Sequence, residues 1–343
     1  MKKRLQWKLL VSCLLVISTS GLAQEPTGGG SLVRDITGGA ALIFRAPKDP
    51  TVHDAVGGQS TIGGGKVKGR KTVKPPVRQQ DQAIARANAA RSAPKPRYEE
   101  AEQQYQLAAQ IAPDDARAYA GLGNVYVDQG KFNEAVGAYQ KALKIKSDYS
   151  AALLPLAFSL ARLNRYEEAI ALYQQILVSD PDNPEIHNNI SFAFNHTNKF
   201  RDAVEASQNA IRLLGETGSA YTQGFQERTE ALSYAYKNLG NAFNGLERYD
   251  EAANALKRAT EIEPKNAAAH FNLGLALYNA KRYSEAILSY KEVIKLRPTL
   301  AQAHFNLGLA YVAVNDKAGA TAEYEALKSM NPDLAKQLQR ILK

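Results

Sequence analysis

The chain has 343 residues, of which 45% are hydrophobic, and a formal net charge of +9. Such apolar content supports a folded body, and the length fits either two ordinary domains or one repetitive array that grows in a single direction. One cysteine, Cys13, excludes an intramolecular disulfide framework and a cysteine-based metal site.

Residues 1–23 open on basic MKKRLQWK, continue as apolar LLVSCLLVIS and end with the small residues Gly21 and Ala23. That order is the pattern of a secretory signal, which predicts cleavage after Ala23 and export to a bacterial periplasm or cell envelope. The apolar run is too short to read as a membrane span. Leu10-Val11-Ser12-Cys13 also looks like a lipobox, which would make Cys13 a lipidated terminus. About two apolar residues precede it, whereas a signal core needs roughly 7–15, so the plain signal peptide is preferred.

Residues 24–80 form a glycine-rich leader carrying Gly28-Gly29-Gly30, Gly38-Gly39, Gly57-Gly58 and Gly63-Gly64-Gly65. Few large side chains offset the entropy of ordering it, so a disordered N-terminal leader is expected. Ala40 to Phe44 is the patch suited to a short strand or docking peptide. From Gln24 to Arg97 there are 13 bases and 5 acids, against a net −3 for Tyr98 to Lys343. Lys66, Lys68, Arg70, Lys71, Lys74 and Arg78 are the dense part and the candidates for binding anionic lipid or an envelope polymer. A solvated, self-repelling linker accounts for the same charges. Export argues against nucleic acid. Gly63-Gly64-Gly65-Lys66 is not a phosphate loop, because Ser60 stands where the motif needs glycine and Val67 where it needs Ser or Thr.

Beyond the leader a short phrase returns: RYEEA at Arg97, KFNEA at Lys131, RYEEA at Arg165, KFRDA at Lys199, RYDEA at Arg248, RYSEA at Arg282 and a worn DKAGA at Asp316. The intervals are 34 residues, except 49 between Lys199 and Arg248. A fixed period of this size predicts stacked supersecondary units. Residues 267–298 and 301–332 show one unit each: two amphipathic helical patterns around a polar turn, ended by Pro298 and Pro332. His270, Leu273 and Leu277 make a stripe on the first helix, and Gly274 and Ala286 let the two helices approach. Tyr283 and Tyr290 are expected to fill the space between units.

These residues resemble the tetratricopeptide repeat (TPR) family. The unit from Ala116 carries its pattern as Tyr119, Leu122, Gly123, Tyr126, Ala135, Tyr139 and Ala142, and the unit from Ser233 as Tyr236, Leu239, Gly240, Phe243, Ala252, Leu256, Ala259 and Pro264. The unit from Ser150 fits through Ala157, Ala169, Tyr173 and Pro181, while that from Pro184 is looser, with Ser191 in place of Gly or Ala and Gly215 in place of Pro. The resemblance spans about 97–332. It implies an all-α, right-handed superhelical α-solenoid of helix-turn-helix units. The expected organisation is signal peptide 1–23, leader 24–80, a first block 81–214 whose opening unit is degenerate, an insertion 215–232, a second block 233–332 and a capping helix 333–343. The insertion reads as a loop followed by a lengthened first helix.

The resemblance also implies a concave groove lined by the first helices that holds a peptide or protein segment. The positions that match are Asn124, Asn188, Asn189, Asn195, Lys237, Asn238, Asn241, Asn244, Asn272, Gln302 and Asn306. Asparagine amides can serve both donors and acceptors of an extended backbone. Some family members clamp a C-terminal carboxylate; Lys237, Asn241 and Asn272 match three of those places, while Gln302 and Asn306 lack the charge of the other two. His187, His270 and His304 fall on a packing position, and no triad spacing or metal motif is present, so no enzyme activity, cofactor or metal is expected. The function expected is a non-catalytic envelope adaptor with a protein partner, or alternatively a surface tether using the leader.

Overall fold

The computed structural model describes residues 78–215 and 225–343. The signal segment, the leader up to Val77 and the 216–224 part of the insertion lie outside the described residues. The described residues are all-α: α1 Gln79–Arg91, α2 Tyr98–Ile111, α3 Ala116–Asp128, α4 Phe132–Ile145, α5 Ser150–Arg162, α6 Tyr166–Ser179, α7 Pro184–His196, α8 Phe200–Gly215, α9 Phe225–Gly245, α10 Tyr249–Ile262, α11 Ala267–Asn279, α12 Tyr283–Leu296, α13 Ala301–Ala313, α14 Lys317–Met330 and α15 Pro332–Leu342. They form the expected solenoid of helix-turn-helix units. The described chain divides into two compact units, one reaching Leu172 and one starting at Tyr173.

One turn, seen six times, joins the first helix to the second in each pair from α3–α4 onward. Gly130, Asn164, Asn198, Glu247, Lys281 and Asn315 take the left-handed conformation, with φ between 58 and 74°. The residue after each donates its backbone N–H to the carbonyl five residues back, as Arg282 to Leu277 at 2.8 Å and Arg165 to Leu160 at 2.9 Å. This Schellman closure satisfies carbonyls that the helix end leaves open and reverses the chain. The recurring phrase starts at the same place. Its base pairs with the acid three residues on, as Arg165–Glu168 and Arg282–Glu285, both 2.7 Å. Its alanine is a contact residue: Ala101, Ala135, Ala169, Ala203, Ala252, Ala286 and Ala320 have no accessible surface. At the other end of the unit, Asp115, Asn183, Asn266 and Asn331 cap helices by accepting from backbone N–H groups in the first turn, and Asp316 caps α14 in the same way beside the left-handed turn.

Close approach depends on glycine facing a ring. A Cβ on Gly123 would lie 2.4 Å from Cε1 of Tyr139, and one on Gly274 would lie 2.6 Å from Cε1 of Tyr290. In the first compact unit α1 buries only alanines, Ala83, Ala87 and Ala90. Two ion pairs to α3 supplement that thin apolar face, Arg117–Asp81 and Arg91–Asp128, each 2.6 Å. The Arg97 N–H to Ala90 carbonyl bond, 2.9 Å, closes the Pro94–Pro96 turn. The second compact unit is richer: Leu239, Phe243, Leu256, Leu273, Leu277, Ile287, Tyr290 and Leu307 form a continuous core. At its end α15 turns Leu334 and Leu338 onto Phe305, Leu309 and Leu327, covering the last pair of helices.

Candidate protein-binding face

Within each compact unit the first helices touch one another in succession: α1, α3 and α5 in one, α7, α9, α11, α13 and α15 in the other. Successive second helices, α2 and α4, or α8, α10, α12 and α14, make no comparable contact. Each unit therefore curves toward its first helices, whose outer side is the concave face. Curvature generated by a constant step between repeats is how such arrays make extended binding surfaces.

The amide-bearing candidates sit on these helices, and most are engaged with protein atoms. Asn124 on α3 accepts from the Tyr139 hydroxyl at 2.8 Å. In the second unit α7 and α9 are stitched by amide donors. Asn188 Nδ2 donates to the Ala231 carbonyl at 3.0 Å, Asn238 Nδ2 to the Asn188 carbonyl at 3.1 Å, and Asn195 Nδ2 to the Asn238 carbonyl at 3.0 Å. Asn188 is 2% exposed and Asn238 1%. The Oδ1 atoms of Asn188, Asn195, Asn238 and Asn244 are buried with no hydrogen-bond partner. Asn189 is likewise buried. Between α9 and α11, Asn272 Nδ2 donates to Asn241 Oδ1 at 2.7 Å. Asn306 on α13 is buried. Gln302 and Asn241 stay half-buried.

Of the three residues that match a carboxylate clamp, Asn241 and Asn272 are joined directly. Lys237 is 2% exposed, with Nζ 4.9 Å from the centre of the Tyr234 ring. Among the polyanion candidates Lys66, Lys68, Arg70, Lys71 and Lys74 lie outside the described residues, and Arg78 pairs with Asp81 at 3.1 Å.

The three histidines play a part that the packing argument missed. Each ring meets the carbonyl of the proline six residues earlier: His187 with Pro181 at 2.7 Å, His270 with Pro264 at 3.0 Å and His304 with Pro298 at 2.9 Å. His187 and His270 are only half-buried, so they fasten the unit junction rather than fill a core. The sequence signal was present as His six residues after Pro in three units. His304 adds a 2.6 Å contact from Nδ1 to Glu323 on α14, and that partner holds the imidazole above its ordinary value of 6.5. Burial pushes the Tyr278 hydroxyl up to about 12 and Tyr173 well above the usual range. Among the described residues no three His, Cys, Asp or Glu side chains gather as a metal-ligand set.

Models of the tetratricopeptide repeat match residues 96–148, 126–188, 237–301 and 301–334. No match was found among curated proteins. Among solved structures, a tetratricopeptide repeat protein from Parabacteroides merdae is 16% identical with a TM-score of 0.56, over 77% of this chain and 98% of that one. Pseudomonas aeruginosa PilF is 18% identical with a TM-score of 0.53, over 66% of this chain and 98% of that one. A chain of the APC/C hetero-tetramer Cut9–Hcn1 is 20% identical with a TM-score of 0.54, over 68% of this chain and 42% of that one. These likenesses are of fold. The family-model matches, with the period and the left-handed turn, make the chain a member of the tetratricopeptide repeat family, built as a protein-interaction scaffold.

Proposed function

We propose that this chain is an exported, non-catalytic adaptor of the bacterial cell envelope that holds a peptide or protein segment on the concave face of its first helices. The supporting observation is the asymmetry of contact: first helices touch in succession and second helices do not, which leaves a curved face edged by repeated amides. An extended segment offers donors and acceptors at regular steps, and the half-buried Asn241 and Gln302 can meet them. Export rests on the basic, apolar and small-residue order of residues 1–23.

The test is crosslinking capture from the native envelope with the full chain. The comparison is wild type, Asn241→Ala with Gln302→Ala, and Leu288→Asp, the last a change on the second-helix side at a residue 67% exposed. Circular dichroism confirms that each variant remains helical. Loss of captured protein in the first-helix variant alone supports the reading. Loss in Leu288→Asp alone, or capture indifferent to both changes, overturns it.

A further inference from the structure

The unit formed by α7 and α8 departs from the packing used elsewhere. In other units a large side chain rests in the place a small residue opens, as Tyr139 on Gly123 and Leu256 on Gly240. Here the corresponding residues are Ser191 and Ser207, both fully buried, joined Oγ to Oγ at 2.6 Å. Ser191 also donates to the Ala203 carbonyl at 2.9 Å. The next contact outward, α8 on α9, includes Ala210, Leu214, Ala231 and Ala235.

The seam between α7 and α9 is polar as well. Asn188, Asn195 and Asn238 spend their donors on backbone carbonyls of the facing helix, and their oxygens find no partner. An unsatisfied buried acceptor loses its hydration without recovering a bond, so it favours states that return it to water. Three such atoms lie along one seam, beside an uncommonly long first helix, α9, of 21 residues. No second seam among the described residues combines these features.

We propose that the α7–α9 seam is a joint that opens locally while the helices after it stay packed. Opening returns the three amide oxygens to water, a gain set against the apolar contacts that α7 and α9 give up on parting. The prediction runs against simple fraying. In a linear array, exchange should be fastest at the ends, since each unit is supported only by its neighbours. The joint instead places the fastest exchange between Asn188 and Asn238, far along the chain from both ends of the array.

Hydrogen exchange on the unliganded full chain tests this. Amides of α7 around Asn188–Asn195 and of α9 around Ala231–Asn238 should exchange at least tenfold faster than those of α11 and α13 around Leu273 and Leu307. A second measurement uses Asn188→Leu with Asn238→Leu, which replaces orphaned acceptors with apolar atoms and should slow exchange in α7 and α9 by a similar factor. Equal protection across α7, α9, α11 and α13, or a monotonic rise in exchange toward α15, overturns the joint. If the double variant does not fold, the wild-type gradient decides. No ligand enters this experiment, so its outcome is separate from that of the capture experiment.

Discussion

Adding one methyl group at Gly123 should destabilise the first compact unit, although alanine is the better helix former. The new Cβ would lie 2.4 Å from Cε1 and 2.7 Å from Cδ1 and Cζ of Tyr139. The ring would have to retreat by roughly 1 Å, and overpacking of that kind costs about 1–3 kcal/mol. Tyr139 has no free space to use, because it is fully buried and its hydroxyl is held by Asn124 at 2.8 Å. Retreat would break that bond and leave a buried donor unpaired, at a cost of about 1–3 kcal/mol. Alanine returns about 1 kcal/mol of helix propensity. The net expectation is a loss of about 1–5 kcal/mol. Gly137, on α4 of the same unit, is the control: nothing lies within 4 Å of its Cβ position, so Gly137→Ala should gain about 1 kcal/mol. Urea unfolding followed by helical circular dichroism gives the sign. Hydrogen exchange in α3 and α4 gives the local value, since a tandem array need not unfold in one step. A Gly123→Ala chain as stable as Gly137→Ala would refute the argument that ring contact sets the helix spacing.

Four further outcomes follow from residues described above. Glu247 and Lys281 sit at φ 58 and 63°, so Glu247→Gly and Lys281→Gly should each raise stability by roughly 0.5 kcal/mol in urea unfolding, the relief of left-handed strain exceeding the added freedom of the unfolded chain. Leu338→Ala should cost about 2–5 kcal/mol and release α13 and α14 first in hydrogen exchange, because it uncovers the last pair of helices. His304 is held above 6.5 by Glu323 first, against the opposing effect of burial. Its contribution is therefore fully present below its unfolded value and is lost as pH rises through the raised folded value; the stability difference between wild type and His304→Gln should shrink over that window, and NMR titration of the imidazole supplies the folded pKa. Asp128→Asn breaks the pair that holds Arg91, whose side chain is only 9% exposed, and should detach α1, seen as loss of exchange protection around Ala87 and Ala90.

The repeated architecture could be read from the sequence because its signals are local and copied. Each turn, each proline and each alanine of the returning phrase occupies the same place in its unit, so one error in reading cannot displace the others. The glycine of one helix and the ring of its partner are fixed positions in the same period, and their meeting follows from the period. The site is a different matter. That Asn188 donates to Ala231, or that Asn272 reaches Asn241, depends on how adjacent first helices are rotated, which no spacing specifies. The burial of Lys237 is hidden for the same reason: a basic side chain on a repeat position predicts solvent, and only the packed neighbours remove it. Ser207 could have been found, since it stands where Tyr139 and Tyr290 stand in their units. The docking of α1 could not, because alanines alone carry its apolar face and the decisive charges of Arg117 and Asp128 belong to another helix.

The eight residues Ala269–Ala276 and Ala303–Ala310 are the same string, and they begin helices that hold equivalent seats. Excising residues 267–300, one full 34-residue period, would bring α13 to the place of α11 with the same side chains facing α10. A cut of any other length would rotate every later contact out of step. The coding sequence can thus lengthen or shorten in whole periods without searching for a new fold. The span of the first-helix face becomes a quantity that copying adjusts, while its chemistry is adjusted separately, one side chain at a time.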